Sequence, residues 1–244
     1  MAHYLDRRNP CEASELDLSA EQIDRACGVL LGSAVGDALA ESTGEPAAAK
    51  MMALPIARAA AEGKDLRTRA TQRQVVAQWK NQTEHVVACA APLAIAYLDD
   101  EPRLIEAATA VVALAGGDNA TAQVCVGWSL MIRHTVLTGE IAPSVGLSQF
   151  TDPDLGLHWM KVFDSLLASK SASFVDLCTP TTGVHSTLVG GLARAWRGAS
   201  SMQAEVDRGL RGRPGMRPDD LIELTLRMLG LDRRDALTLE STHS

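Results

Sequence analysis

Asp37, Glu41 and Glu45 stand in the stretch GVLLGSAVGDALAESTGEP, residues 28–46. Carboxylates that converge can offer hard oxygen ligands to Mg2+ or Mn2+, or take a proton from a water molecule at a reacting centre. Each also has a plain structural reading. Asp37 sits among small apolar residues, and a carboxylate buried there without a partner is costly, so bonding to neighbouring backbone or hydroxyl groups competes with catalysis. Glu41 and Glu45 read equally well as solvated charges where a helix leaves the core.

Other groups with chemical potential are scattered. His85, His134, His158 and His185 show neither HxxxH nor HExxH spacing, which argues against zinc. His185 opens a helical stretch from which it can face a cleft. Just before it, Thr181-Thr182-Gly183 can offer backbone amides to a phosphate. Ser186 and Thr187 lack a GxSxG context, so a serine nucleophile has no support. In GGDNAT, residues 116–121, Asp118 reads as a helix N-cap after a Gly-Gly stop or as a metal ligand. The five cysteines are odd in number and lack CxxC spacing; most lie in apolar runs and read as small hydrophobes in a reducing cytoplasm.

The elements that must position these groups are helical. Leu18-Ser19 to Ile23 carries a capping box, Ser19 with Gln22, and an apolar staple of Leu18 on Ile23. Apolar residues then recur at helical spacing, while the other face holds Gly28, Gly32 and Gly36. A helix-interior glycine costs about 1 kcal/mol relative to alanine, so three of them imply the close approach of another backbone. Residues 47–70 read as weak helix interrupted by Pro55 and Gly63, and 71–91 as a helix around Val75, Val76 and Trp79. Further helices are expected over 104–115, 120–137, through Leu155, Trp159 and Phe163, over 185–196 and over 221–229, with a loop at 140–153. SASFVDLC reads as a short helix, and RGLRGRPGMRPDD as a basic hinge. The expectation is an all-α domain over 18–230, between an irregular leader (1–17) and a polar tail (231–244).

Composition fits that architecture. Of 244 residues, 46% are hydrophobic and 4% aromatic, which suits close packing of Ala- and Gly-rich helices. The formal charge of −7 argues against nucleic acid and anionic membrane surfaces as partners. No apolar run is long enough to span a bilayer.

Four pieces occur in order: GVLLGSAVGDALAESTGEP, APLAIAYLDDEPRLIEAATAVVALAGGDNATA, GWSLMIRHTVLTGE and SASFVDLCTPTTGVHSTLVGGLARAW. Together, over roughly residues 25 to 198, they resemble the ADP-ribosylglycohydrolases; the first is similar to that family's GxLLGxAxGDALGxxxE helix and the last to its SGxVxxTLxxA helix. The resemblance implies a single orthogonal all-α domain and hydrolysis of the glycosidic bond joining ADP-ribose to a protein side chain. It implies an ADP-ribose-like small molecule or an ADP-ribosylated protein as partner. It also implies two divalent cations, magnesium or manganese. Asp37 would support the helix end near the site. Glu45, displaced by one residue from the family's spacing, would work beside the reacting ribose, with Glu41 as the alternative.

The chain departs from the pattern at the metals. The family's Thr-Asp-Asp segment is absent, and its nearest counterpart, WKNQTEHVV, offers only Asn81 and Gln82. No GGDxDT follows Trp196, and GGDNAT has Ala120 in place of the second aspartate. One ion or none is therefore expected, with Asp118 as the candidate ligand. Three functions follow: a shortened hydrolase with Glu45 or Asp37 aiding water activation, a catalytically silent binding or interaction module, and an enzyme turned to small-molecule biosynthesis.

Overall fold

The computed structural model describes residues 17–42, 52–79, 83–168, 184–202, 210 and 217–231. They form α1 (Ala20–Ser42), α2 (Leu54–Ala61), α3 (Arg69–Val76), a 3-10 segment (Thr83–Cys89), α4 (Ala90–Ala96), α5 (Glu101–Leu114), α6 (Asn119–Thr138), α7 (Pro143–Leu147), α8 (Pro153–Ala168), α9 (Val184–Arg197) and α10 (Pro218–Met228). There is no strand among the described residues, as the all-α expectation requires.

The start of α1 follows the sequence signal. The Ser19 hydroxyl accepts from the Gln22 amide at 3.2 Å, and the Gln22 side chain accepts from the Ser19 amide at 2.9 Å. Leu18 and Ile23 are both buried beside this box. From Ala26 to Ala38 every residue of α1 is buried, so the helix runs through the core with neighbours on all sides. α9 lies along it, and α10, α6 and α4 close the remaining faces. α6 is the second central helix, with α4, α5 and α7 packed on it, while α2 bridges α4 and α10.

Caps set the helix limits elsewhere. Asp100 accepts from the Arg103 amide at 3.0 Å to open α5, and Gly139, at φ 76°, closes α6 in the left-handed conformation. Proline placement corrects two expectations. Pro55 sits in the first turn of α2 rather than interrupting a helix, because its missing N–H is unneeded there. Pro143 likewise starts α7 inside the span expected to be loop. The helix expected over 71–91 is broken into pieces: α3 ends at Val76 with Trp79 in the turn after it, a 3-10 segment runs from Thr83, and α4 starts at Ala90. SASFVDLC, most of the basic hinge, the leader to residue 16 and the tail from 232 lie outside the described residues.

Polar side chains of the first turns of α1 fix its surroundings. Gln22 Nε2 donates to the Leu137 carbonyl at 2.9 Å and Arg25 Nε to the Val136 carbonyl at 2.8 Å, satisfying orphan acceptors at the end of α6. Asp24 accepts from both the amide and the hydroxyl of Ser200, each at 2.9 Å, just beyond the end of α9. The start of α1 is thereby tied to the end of α9. The opposite end of that antiparallel pair is where the candidate residues fall.

Candidate functional site

α1 and α9 meet along two stripes of four-residue spacing. Gly28 faces the carbonyl of Arg194, Gly32 that of Gly190, and Gly36 that of Ser186. A Cβ built on Gly28 would lie 2.5 Å from the Arg194 oxygen, and those built on Gly32 and Gly36 would collide outright with the Gly190 and Ser186 oxygens. The relation is reciprocal, since a Cβ on Gly190 would strike the Gly32 carbonyl. Only hydrogen fits, and the backbones close to the range of Cα–H···O contacts. Arg194, fully buried, packs its aliphatic stem against Gly32 and donates from Nη1 to the Gly198 carbonyl at 3.0 Å and the Ser201 hydroxyl at 3.2 Å.

This seam carries Asp37, one residue past Gly36, to Thr187, one residue past Ser186. Asp37 is fully buried, and its Oδ1 accepts from the Thr187 hydroxyl over a long 3.5 Å. The carboxylate is thus built into the helix contact and does not face solvent as a general base would. Glu41, one turn further on, is exposed at the end of α1. Glu45, Thr181, Thr182 and Gly183 lie outside the described residues.

His185 occupies the first turn of α9, half-buried. Its ring stands edge-on to Trp159, 5.0 Å between centroids, and 6.2 Å from His158. Burial, with the neighbouring His158 adding to it, holds its pKa below the ordinary imidazole value. Trp159 in turn meets Trp128 at 5.4 Å and Phe163 at 6.2 Å, forming an aromatic knot where α8 joins α6 and α9. Trp79, Trp128 and Trp159 are all buried in the core, whereas Trp196 is half-buried, with Arg197 over its ring at 5.3 Å. Sequence reasoning singled out Asp37 and His185 but paired neither: nothing in the sequence ties Thr187 of the STL piece to Asp37 or His158 to His185, and only the helix packing brings them together.

Asp118 lies apart from this end of the seam in chemical terms. It is exposed, and it accepts from the Thr121 amide at 2.8 Å and the Thr121 hydroxyl at 2.7 Å. Those two bonds, the hydroxyl's first, hold its carboxyl below the usual range. The N-cap reading accounts for both of its close contacts. Among the described residues no three His, Cys, Asp or Glu side chains gather in a way that could hold a metal ion. The donors present there do not fit the paired cations that the resemblance implies: Asp37 is turned into the seam and Asp118 into its own helix.

The described cysteines behave as core residues. Burial pushes the Cys27 thiol up to about 12, with the Asp24 charge adding to it, and burial pushes Cys125 to about 12. Burial also raises Cys89 well above the usual thiol range. Such thiols carry almost no thiolate and are poor nucleophiles or metal ligands. Among the described residues no helix is long and apolar enough to cross a membrane. Compared with known proteins, the chain matches no family model, no curated protein and no solved structure.

Proposed function

We propose that this chain is a divergent ADP-ribosylglycohydrolase-like protein that takes an ADP-ribose-like ligand where α1 leaves the core and α9 begins. One observation carries the reading. The Thr187 hydroxyl reaches Asp37 across 150 residues of sequence, so the GDAL and STL pieces on which the resemblance rests form one packed unit. Glu41 stands exposed at the end of that unit, and in the sequence Glu45 follows it by four residues while Thr181-Thr182-Gly183 directly precede α9. The amides of the last three, ahead of an α9 N-terminus, suit a diphosphate.

Hydrolysis of an ADP-ribosyl bond is the activity proposed. Since the described donors do not fit a cation pair, the work falls on a carboxylate able to reach water, Glu45 first and Glu41 second, with Asp37 positioning the helix end. The second reading, a catalytically silent module binding ADP-ribose or an ADP-ribosylated protein in the cytoplasm, is favoured by Asp37 itself, whose carboxylate is committed to the seam.

Release of ADP-ribose from a protein modified on arginine or serine distinguishes the two. If the chain is a hydrolase, the wild type releases ADP-ribose and Glu45→Ala is at least about tenfold slower. An unchanged rate in that variant removes Glu45 from the site. No release at high enzyme concentration, with ADP-ribose still bound, establishes the silent module instead.

A further inference from the structure

The meeting of α8 with α9 has a chemical peculiarity that the ligand reading does not use. Its two helices face each other through imidazoles, His158 on α8 and His185 on α9, 6.2 Å apart, with Trp159 edge-on to both at 5.4 and 5.0 Å. Beside α7, the buried Trp159 and Phe163 and the partly buried Leu155 and Val162 hold the described part of α8 to the body. We propose that His158 and His185 form an acid-sensitive latch: with both rings neutral α8 stays docked on α9, and with both protonated it lifts away.

The physics follows from position. Two cations at this separation, one of them half-buried, repel far more strongly than exposed charges in water. His185 also sits at the positive end of the α9 dipole, which opposes a second positive charge there. Among the described residues, the neighbouring groups do not offset this. On α1, Asp37 is turned to Thr187 and Glu41 stands exposed at the helix end. On α8, Asp154 precedes His158 by one turn and Lys161 follows it by one turn, opposite charges that oppose one another's effect. The half-buried His85 of the 3-10 segment, which packs on α9, adds no negative charge. The depression of His185 arises from burial first and from His158 second.

The sign is fixed by linkage. A histidine whose pKa is lowered when docked binds fewer protons in that state than when released. Docking is therefore at full strength above the ordinary imidazole value near 6.5, and is lost as pH falls from there through the docked value.

Hydrogen exchange of the intact chain tests this without any ligand, so its outcome is separate from the fate of the proposed function. From about pH 7.5 to about pH 5, after correction for the intrinsic pH dependence of exchange, protection in α8 is expected to fall about tenfold more than in α5. His158 is exposed, so His158→Asn should fold normally; it should reduce that excess and raise the His185 proton resonance titration by the part that His158 contributes, with burial still holding it below the ordinary imidazole value. Protection in α8 that tracks α5 throughout, or an acid-induced loss undiminished in His158→Asn, overturns the latch.

Discussion

Gly32→Ala is expected to destabilise the protein by about 3 kcal/mol, lowering its melting temperature by about 10 °C, and Gly32→Val to prevent folding. The sign is the informative part. On an open helix the same change gains up to about 1 kcal/mol, because alanine is the better helix former. Here the added carbon meets the Gly190 carbonyl and lies 2.6 Å from Cγ of Arg194 and 2.7 Å from its Cβ. Backbone carbonyls have no rotamer to change, so the clash is relieved only by parting two helices that touch along their length. That parting forfeits dispersion contacts on both sides of Gly32 and opens space around the buried Arg194. Gly156→Ala supplies the contrast, since its nearest neighbour is the Phe150 Cβ at 3.9 Å. It should be neutral or stabilising by up to about 1 kcal/mol. Thermal or urea unfolding of both variants checks the pair, and equal effects would remove the seam from the account.

Asp37→Ala is expected to cost about 2–4 kcal/mol, a loss read in stability before any loss in activity. Asp37 is fully buried and Thr187 nearly so, at 1% exposure. Removing the carboxylate leaves a cavity and strips the Thr187 hydroxyl of its acceptor, and both costs are paid in the folded state. The bond itself is long at 3.5 Å, so its coupling should be modest. A double-mutant cycle of Asp37→Ala with Thr187→Val is expected to show about 0.5–1 kcal/mol of interaction, with the rest of the loss lying outside that bond. A solvent-facing catalytic aspartate would behave in the opposite way. Asp37→Ala would then keep its melting temperature within about 1 °C of wild type while losing turnover.

What the sequence disclosed depends on the range of the interaction. Signals within one turn were readable: the Ser19–Gln22 box and the Asp118 cap act over three residues and appear where expected. Proline misled, because at Pro55 and Pro143 the same residue that breaks a helix interior starts a helix when it falls in the first turn. The three glycines of α1 announced a close approach but not its partner. Naming Ser186, Gly190 and Arg194 needs the antiparallel register, a tertiary property that Asp24 and Ser200 help to fix. The candidate site divides in the same way. Asp37 stood out by being a charge among small residues, whereas the pairing of His185 with His158 joins positions on separate helices with no spacing to reveal it.

Calorimetric and thermal titration with ADP-ribose, with and without Mg2+ or Mn2+, bears most directly on the proposed ligand. Saturating ADP-ribose is expected to raise the melting temperature by about 5 °C or more, equally in chelator and in metal, because no cation pair fits the described donors. A protein that gives no heat and no shift up to about 1 mM ADP-ribose, or a shift that appears only when metal is added, would contradict it.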